Sequence, residues 1–104
     1  MLRSVEQRRV PGSQVDPRVA ELRSAVSRLR RQLAAHPGDF RDRSVAEEEL
    51  AALAGMTAAG DPEIPRLRRS LLLIAGAIGS VSALGQGVRE LREAVDLFGT
   101  SPRG

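Results

Sequence analysis

The chain has 104 residues, with sixteen arginines, no lysine, one histidine, no cysteine and two aromatic residues. This length allows one small domain and excludes a cofactor-binding domain beside a separate substrate domain. The absence of cysteine excludes a disulfide framework, thiol catalysis and a zinc site with thiolate ligands.

The formal net charge of +3 conceals a difference between the two parts of the chain. Residues 1–43 carry ten arginines against five acids, whereas residues 44–104 carry six arginines against eight acids. Two explanations of the arginine excess stay open: the codon usage of a GC-rich genome, and contacts with phosphate or carboxylate groups. The asymmetry points weakly to an anionic or acidic partner of the N-terminal part.

The N-terminal residues 1–15 lack both helical periodicity and the apolar run of a secretory signal, so we expect a flexible arm. A helix then begins, because Asp16 is a good N-cap and Pro17 suits the first helical position. Apolar residues recur from Val19 to Leu33 at alternating spacings of three and four. Pro37 and Gly38 end the pattern, which predicts a helix over 17–35.

A second helix is predicted over 45–59. Ser44 and Glu47 have the spacing of a capping box, in which the hydroxyl and the carboxylate each accept from a backbone amide near the helix start. Three consecutive glutamates fall in the first turn, where the helix dipole favours negative charge. Gly60 is the expected C-cap residue.

A third, long helix is predicted over 65–98. Its apolar residues continue at spacings of three and four, with two adjacent spacings of three near Val81. A break at Gly85–Gly87 is the alternative, since glycine in a helix interior costs about 1 kcal/mol. We favour the continuous helix because the apolar period carries on, and we expect residues 100–104 to be disordered.

These elements predict an all-α domain over 16–99, either a three-helix bundle or a helical hairpin with one long C-terminal helix. The long helix carries more apolar surface than two partners can cover, so we expect a homodimer to complete the bundle. Six residues of this helix are expected to lie in the interface or the core: Leu71, Ile74, Ile78, Gly79, Val81 and Leu84.

Small residues recur along the same helix at Gly79, Ala83 and Gly87. Small side chains allow two helix backbones to approach closely. They therefore fit either a self-association face or tight packing inside one molecule, and the sequence does not separate the two.

The arginines of the first helix are candidate anion contacts, namely Arg23, Arg28, Arg30 and Arg31. They favour an alternative function, a nucleic-acid-associated accessory protein. A solvated helix face with local ion pairs is the simpler explanation, because no aromatic residues alternate with them for base stacking.

A second alternative is a small membrane protein, because residues 70–88 form an uncharged run of nineteen residues. Ser80, Ser82, Gln86 and four glycines dilute the hydrophobicity of this run, so a buried core helix is the simpler interpretation. Asp39, Asp42 and the acids of the second helix have the positions of caps. We therefore predict no catalytic residue, no cofactor and no metal ligand.

Four runs of sequence between Asp16 and Gly99 carry a resemblance: DPRVAELRSAVSRLRRQL, AEEELAAL, PEIPRLRRSLLLIAGAIGSVSAL and LREAVDLFG. The chain resembles small helical proteins rich in arginine, alanine and leucine from high-GC filamentous bacteria, which are grouped as families of unknown function. Similar segments occur beside effector domains in bacterial conflict systems. The resemblance implies a helical hairpin-type module from a bacterium and transfers no catalytic residue.

Together, these patterns predict a non-enzymatic, cytoplasmic interaction module that self-associates through its C-terminal helix.

Overall fold

The computed structural model describes residues 16–38, 41–60 and 62–99. These residues form four α-helices and no strand: α1 (Pro17–Ala35), α2 (Arg43–Ala59), α3 (Ile64–Ile78) and α4 (Ser82–Gly99). The expected flexible arm 1–15 and the tail 100–104 lie outside the described residues.

Helix α1 occupies the residues that the sequence pattern predicts. The Asp16 carboxylate accepts a hydrogen bond of 2.8 Å from the backbone amide of Arg18, which is the N-cap contact expected before Pro17. The helix ends at Ala35, and the His36 amide donates to the Leu33 carbonyl over 3.1 Å.

Helix α2 begins two residues earlier than predicted. Asp42 is the N-cap and Arg43 already lies in the first turn, so Ser44 is inside the helix and the expected capping box does not begin it. The cause is Arg43, whose guanidinium binds the end of α1 and thereby fixes the first turn of α2. At the other end, Gly60 adopts a left-handed conformation with φ of 82°, as expected for a C-cap glycine.

The prediction of one continuous helix over 65–98 is wrong, because a turn at residues 79–81 separates α3 from α4. The break also does not fall at Gly85–Gly87, which lie inside α4. At the turn, the Val81 amide donates to Ile78 and the Leu84 amide donates to Val81, over 3.0 and 2.9 Å. A straight helix would leave the apolar stripe of α4 without a partner, whereas the turn folds it back onto the core.

The four helices form a bundle in which α1 packs beside α2 and α4, and α3 also packs beside both. Helix α4 is antiparallel to α1, because Arg18 lies over Phe98, Arg28 binds Glu90 and Gln32 lies beside Gly87. The Ser70 hydroxyl of α3 donates to the Glu49 carboxylate of α2. This arrangement replaces the expected three-helix bundle.

The core draws apolar side chains from all four helices. Burial of each leucine stabilises the fold by about 1.5–3 kcal/mol relative to an exposed position. The large side chains less than 2 % exposed are Leu22, Leu29, Leu33, Leu50, Leu53, Leu67, Ile74, Ile78, Leu84, Leu91 and Val95. The apolar strip that we expected a second molecule to cover is therefore covered within the chain.

Candidate interaction surfaces

The six residues predicted for the interface or the core are divided between the interior and the turn. Leu71, Ile74, Ile78 and Leu84 are buried in the core cluster. Val81 is half-buried and Gly79 is exposed, and both lie in the turn between α3 and α4. None of the four buried side chains is open to a second molecule.

The predicted stripe of small residues does not lie on one helix. The turn places Gly79 before α4, while Gly87 is buried inside α4 against α1. A Cβ atom on Gly87 would collide with the Gln32 side chain and would lie 2.8 Å from the Leu29 Cδ1 atom. Gly87 is therefore a point of close approach between α1 and α4 in one molecule.

The outer face of α3 exposes two adjacent leucines. Leu72 is 71 % exposed and Leu73 is 41 % exposed, which makes Leu72 the most exposed large apolar side chain of the described residues. Gly76 lies on the same face, one helical turn after the leucines. With 100° per residue, its position around the helix axis falls between those of Leu72 and Leu73. A Cβ atom built on Gly76 would meet nothing within 4 Å, so this face has an open depression beside a protruding leucine.

Three of the four predicted anion-binding arginines lie together on one flank of α1. Arg23, Arg30 and Arg31 border a groove of about 530 Å³ between α1 and α2. Ala54, Thr57 and Ala58 of α2 line the opposite side of this groove. The structure thus brings Arg23, Arg30 and Arg31 to one surface.

The fourth predicted arginine, Arg28, lies on the other flank of α1. Its guanidinium donates a hydrogen bond of 2.8 Å to the Glu90 carboxylate of α4. This bond, with a weaker one from Gln86, lowers the pKa of Glu90 below its ordinary value. Arg28 is therefore engaged within the molecule and does not extend the groove.

Sequence reasoning missed the role of Arg43. Its side chain is four-fifths buried and donates to the backbone carbonyls of Leu33, His36 and Gly38 over 2.5–2.8 Å. It thereby satisfies carbonyls at the end of α1, which a helix C-terminus otherwise leaves without partners. The partners are backbone atoms, so no side-chain motif could have indicated the contact.

The described residues also bear on the metal and membrane hypotheses. Within 16–38, 41–60 and 62–99, no three His, Asp or Glu side chains are grouped so that they could hold a metal ion. No helix among them has the length and hydropathy needed to cross a bilayer. The turn at 79–81 divides the segment 70–88 between α3 and α4.

Comparison with known proteins identifies a family. The chain belongs to DUF5955, a family of unknown function, whose family model matches residues 11–99. This agrees with the resemblance to helical proteins of unknown function. No curated protein and no solved structure matches the chain.

Proposed function

We propose that this protein is a non-enzymatic helical module that self-associates through the outer face of α3. The observation that carries the proposal is Leu72, 71 % exposed beside the open depression at Gly76. The sequence resemblance implies a bacterial source, and we propose the cytoplasm as the location of the module. The interface differs from the one the sequence suggested, because the stripe from Leu71 to Leu84 already forms the core.

A two-fold contact between two α3 helices suits this face. In an antiparallel pair crossing at the level of Ile74, Leu72 of one molecule lies opposite Gly76 of the other, and the reverse contact follows by symmetry. Arg69 then lies opposite Gly79, near the carbonyl end of the partner's α3, where positive charge is favourable. The leucine fills the depression in both directions, so the surface is complementary to itself.

The expected association is weak. Removing two Leu72 side chains from water contributes about 3–6 kcal/mol before the cost of bringing two molecules together. A dimer that forms at about 1 mM requires a net free energy of about −4 kcal/mol, so the other contacts along the two α3 helices must offset the cost of association. The assembly therefore requires measurement over a concentration series.

Sedimentation equilibrium of the full chain up to about 1 mM tests the proposal. We expect a monomer–dimer equilibrium in the wild type and a monomer throughout for Leu72→Glu, because the substitution places a charge in the contact. A wild-type chain that stays monomeric at 1 mM contradicts the proposal.

A pair of glycine variants separates association from folding. Gly76→Ala fills the depression and should weaken the dimer at least tenfold. It should also raise the free energy of unfolding by up to about 1 kcal/mol, since alanine is the better helix former and its Cβ meets no neighbour.

Gly55→Ala is the matched control, because Gly55 is exposed within α2 and its Cβ also meets nothing within 4 Å. It should stabilise the monomer similarly and leave dimerisation unchanged. Equal dimerisation of Gly76→Ala and Gly55→Ala would place the contact elsewhere.

A further inference from the structure

The groove between α1 and α2 combines unpaired positive charge with an apolar floor. Arg23 and Arg30 form no hydrogen bond or ion pair with any described residue, and the Arg31 guanidinium donates only to the Ser27 hydroxyl, over 2.8 Å. Elsewhere on the same helix, Arg18 and Arg28 do bind carboxylates. The groove arginines are therefore available to bind an external anionic group.

The floor of the groove is built for apolar contact. Val26 of α1 and Ala54 and Ala58 of α2 line it, and their small side chains leave the open volume between the helices. Phosphate groups of a nucleic acid gain nothing from such a floor. An apolar side chain does, because its burial there removes apolar surface from both partners.

The spacing of the arginines matches the repeat of a helix. Arg23 and Arg30 are seven residues apart on α1, which is about 10.5 Å along the helix axis. Carboxylates that recur every seven residues on a second helix have the same interval. A smaller hollow beside Arg30, Leu33 and Ala34 continues the groove towards Glu47. From Arg23 to Ala34 the groove is about three helical turns long.

We propose that the α1–α2 groove binds an acidic amphipathic helix of a partner protein. Apolar side chains of that helix lie on Val26, Ala54 and Ala58, and carboxylates at seven-residue intervals pair with Arg23 and Arg30. This is the helix-in-groove mode of recognition with charge-assisted hydrogen bonds along one edge.

A defined peptide tests the proposal on the full chain. The probe is a fluorescently labelled peptide of about eighteen residues made of Leu, Ala and Glu, with a leucine stripe bordered by glutamates seven positions apart. We expect saturable binding by fluorescence anisotropy at about 100 mM salt. The double variant Arg23→Glu/Arg30→Glu should bind at least tenfold more weakly.

Two further variants separate a groove from general electrostatic attraction. Arg89→Glu/Arg92→Glu makes the same change in net charge on α4, where both arginines are exposed. It should weaken binding less than threefold. Ala58→Leu fills the groove floor without altering charge and should weaken binding at least fivefold.

Three outcomes overturn the proposal. One is no binding of the peptide by the wild type, and another is equal loss of binding in the two charge-reversal variants. The third is tighter binding of a 20-base-pair DNA duplex than of the peptide, with the DNA binding abolished by Arg23→Glu/Arg30→Glu. That result would identify the groove as a phosphate-binding surface instead.

Discussion

Helix α1 carries arginines on two flanks, one facing α4 and the other facing α2. The two flanks pack against these helices in different ways. Towards α4 the flank is closed at Gly87, where Leu29 and Gln32 fill the space, and a groove of about 350 Å³, smaller than the one beside α2, lies next to the Arg28–Glu90 ion pair. Towards α2 the flank is open, and a groove separates Arg23 and Arg30 from Ala54 and Ala58.

The two flanks differ in whether the side chains of α1 fill the space beside a small residue. Gly87 faces the core residue Leu29, whose apolar side chain fills the space that a Cβ would need. Ala58 faces a flank of α1 that carries Arg23, and an arginine keeps its charged group in water while only its stem packs. The small residue is therefore packed closely at Gly87, whereas the larger groove stays open beside Ala58.

The largest expected change in stability comes from Arg43, whose side chain binds backbone carbonyls at the end of α1. Arg43→Ala removes donors from the carbonyls of Leu33, His36 and Gly38. Because hydrogen bonds to a charged group are strong, we expect a loss of about 1.5–3 kcal/mol in the free energy of unfolding. Urea denaturation followed by circular dichroism measures this change.

Two variants control this prediction. Arg43→Lys should recover less than half of the loss, since one ammonium group does not replace a planar guanidinium that spans several acceptors. Arg41→Ala removes an exposed arginine from the same connection and should stay within about 0.5 kcal/mol of the wild type. A similar loss in Arg41→Ala would mean that the effect is one of net charge.

The closed flank can be tested at Gly87. Gly87→Ala forces a Cβ against Gln32 and Leu29, and overpacking of this kind costs about 1–3 kcal/mol. Gly85→Ala is the matched control in the same helix, because its Cβ would meet only Arg89, at an ordinary 3.7 Å. It should be neutral or stabilising by up to about 1 kcal/mol. If both variants have equal stability, α1 and α4 do not approach each other closely at Gly87.

The sequence predicted those features that depend on local chemistry. Asp16 and Pro17 begin α1, and Gly60 ends α2 in the left-handed conformation, since caps are encoded within a few residues. The core stripe of α1 could also be read from its period. These features need no knowledge of how the helices pack.

The turn at residues 79–81 was hidden because the apolar period runs through it. Ile78, Val81 and Leu84 keep helical spacing on both sides, and the two adjacent spacings of three were the one local sign of a change. The groove depends on which flank of α1 meets α2, which is a property of the tertiary packing. The sequence therefore predicted Arg23, Arg28, Arg30 and Arg31 as one group of anion contacts. In the folded bundle, Arg28 lies on the other flank of α1 from the remaining three.

The smallest expected effect concerns the ion pair of the closed flank. Hydrogen bonding to Arg28 lowers the pKa of Glu90 in the folded state, so the pair stabilises the fold above the ordinary carboxyl range. This contribution is lost as the pH falls through the lowered pKa of Glu90.

In Arg28→Ala the pKa of Glu90 should rise, and stability should depend less on acid pH. A titration of the Glu90 side-chain carbonyl by nuclear magnetic resonance measures the shift, with Arg92→Ala as the control that keeps the pair. An unchanged titration in Arg28→Ala would mean that the two side chains do not pair in solution, and the closed flank would then rest on packing at Gly87 alone.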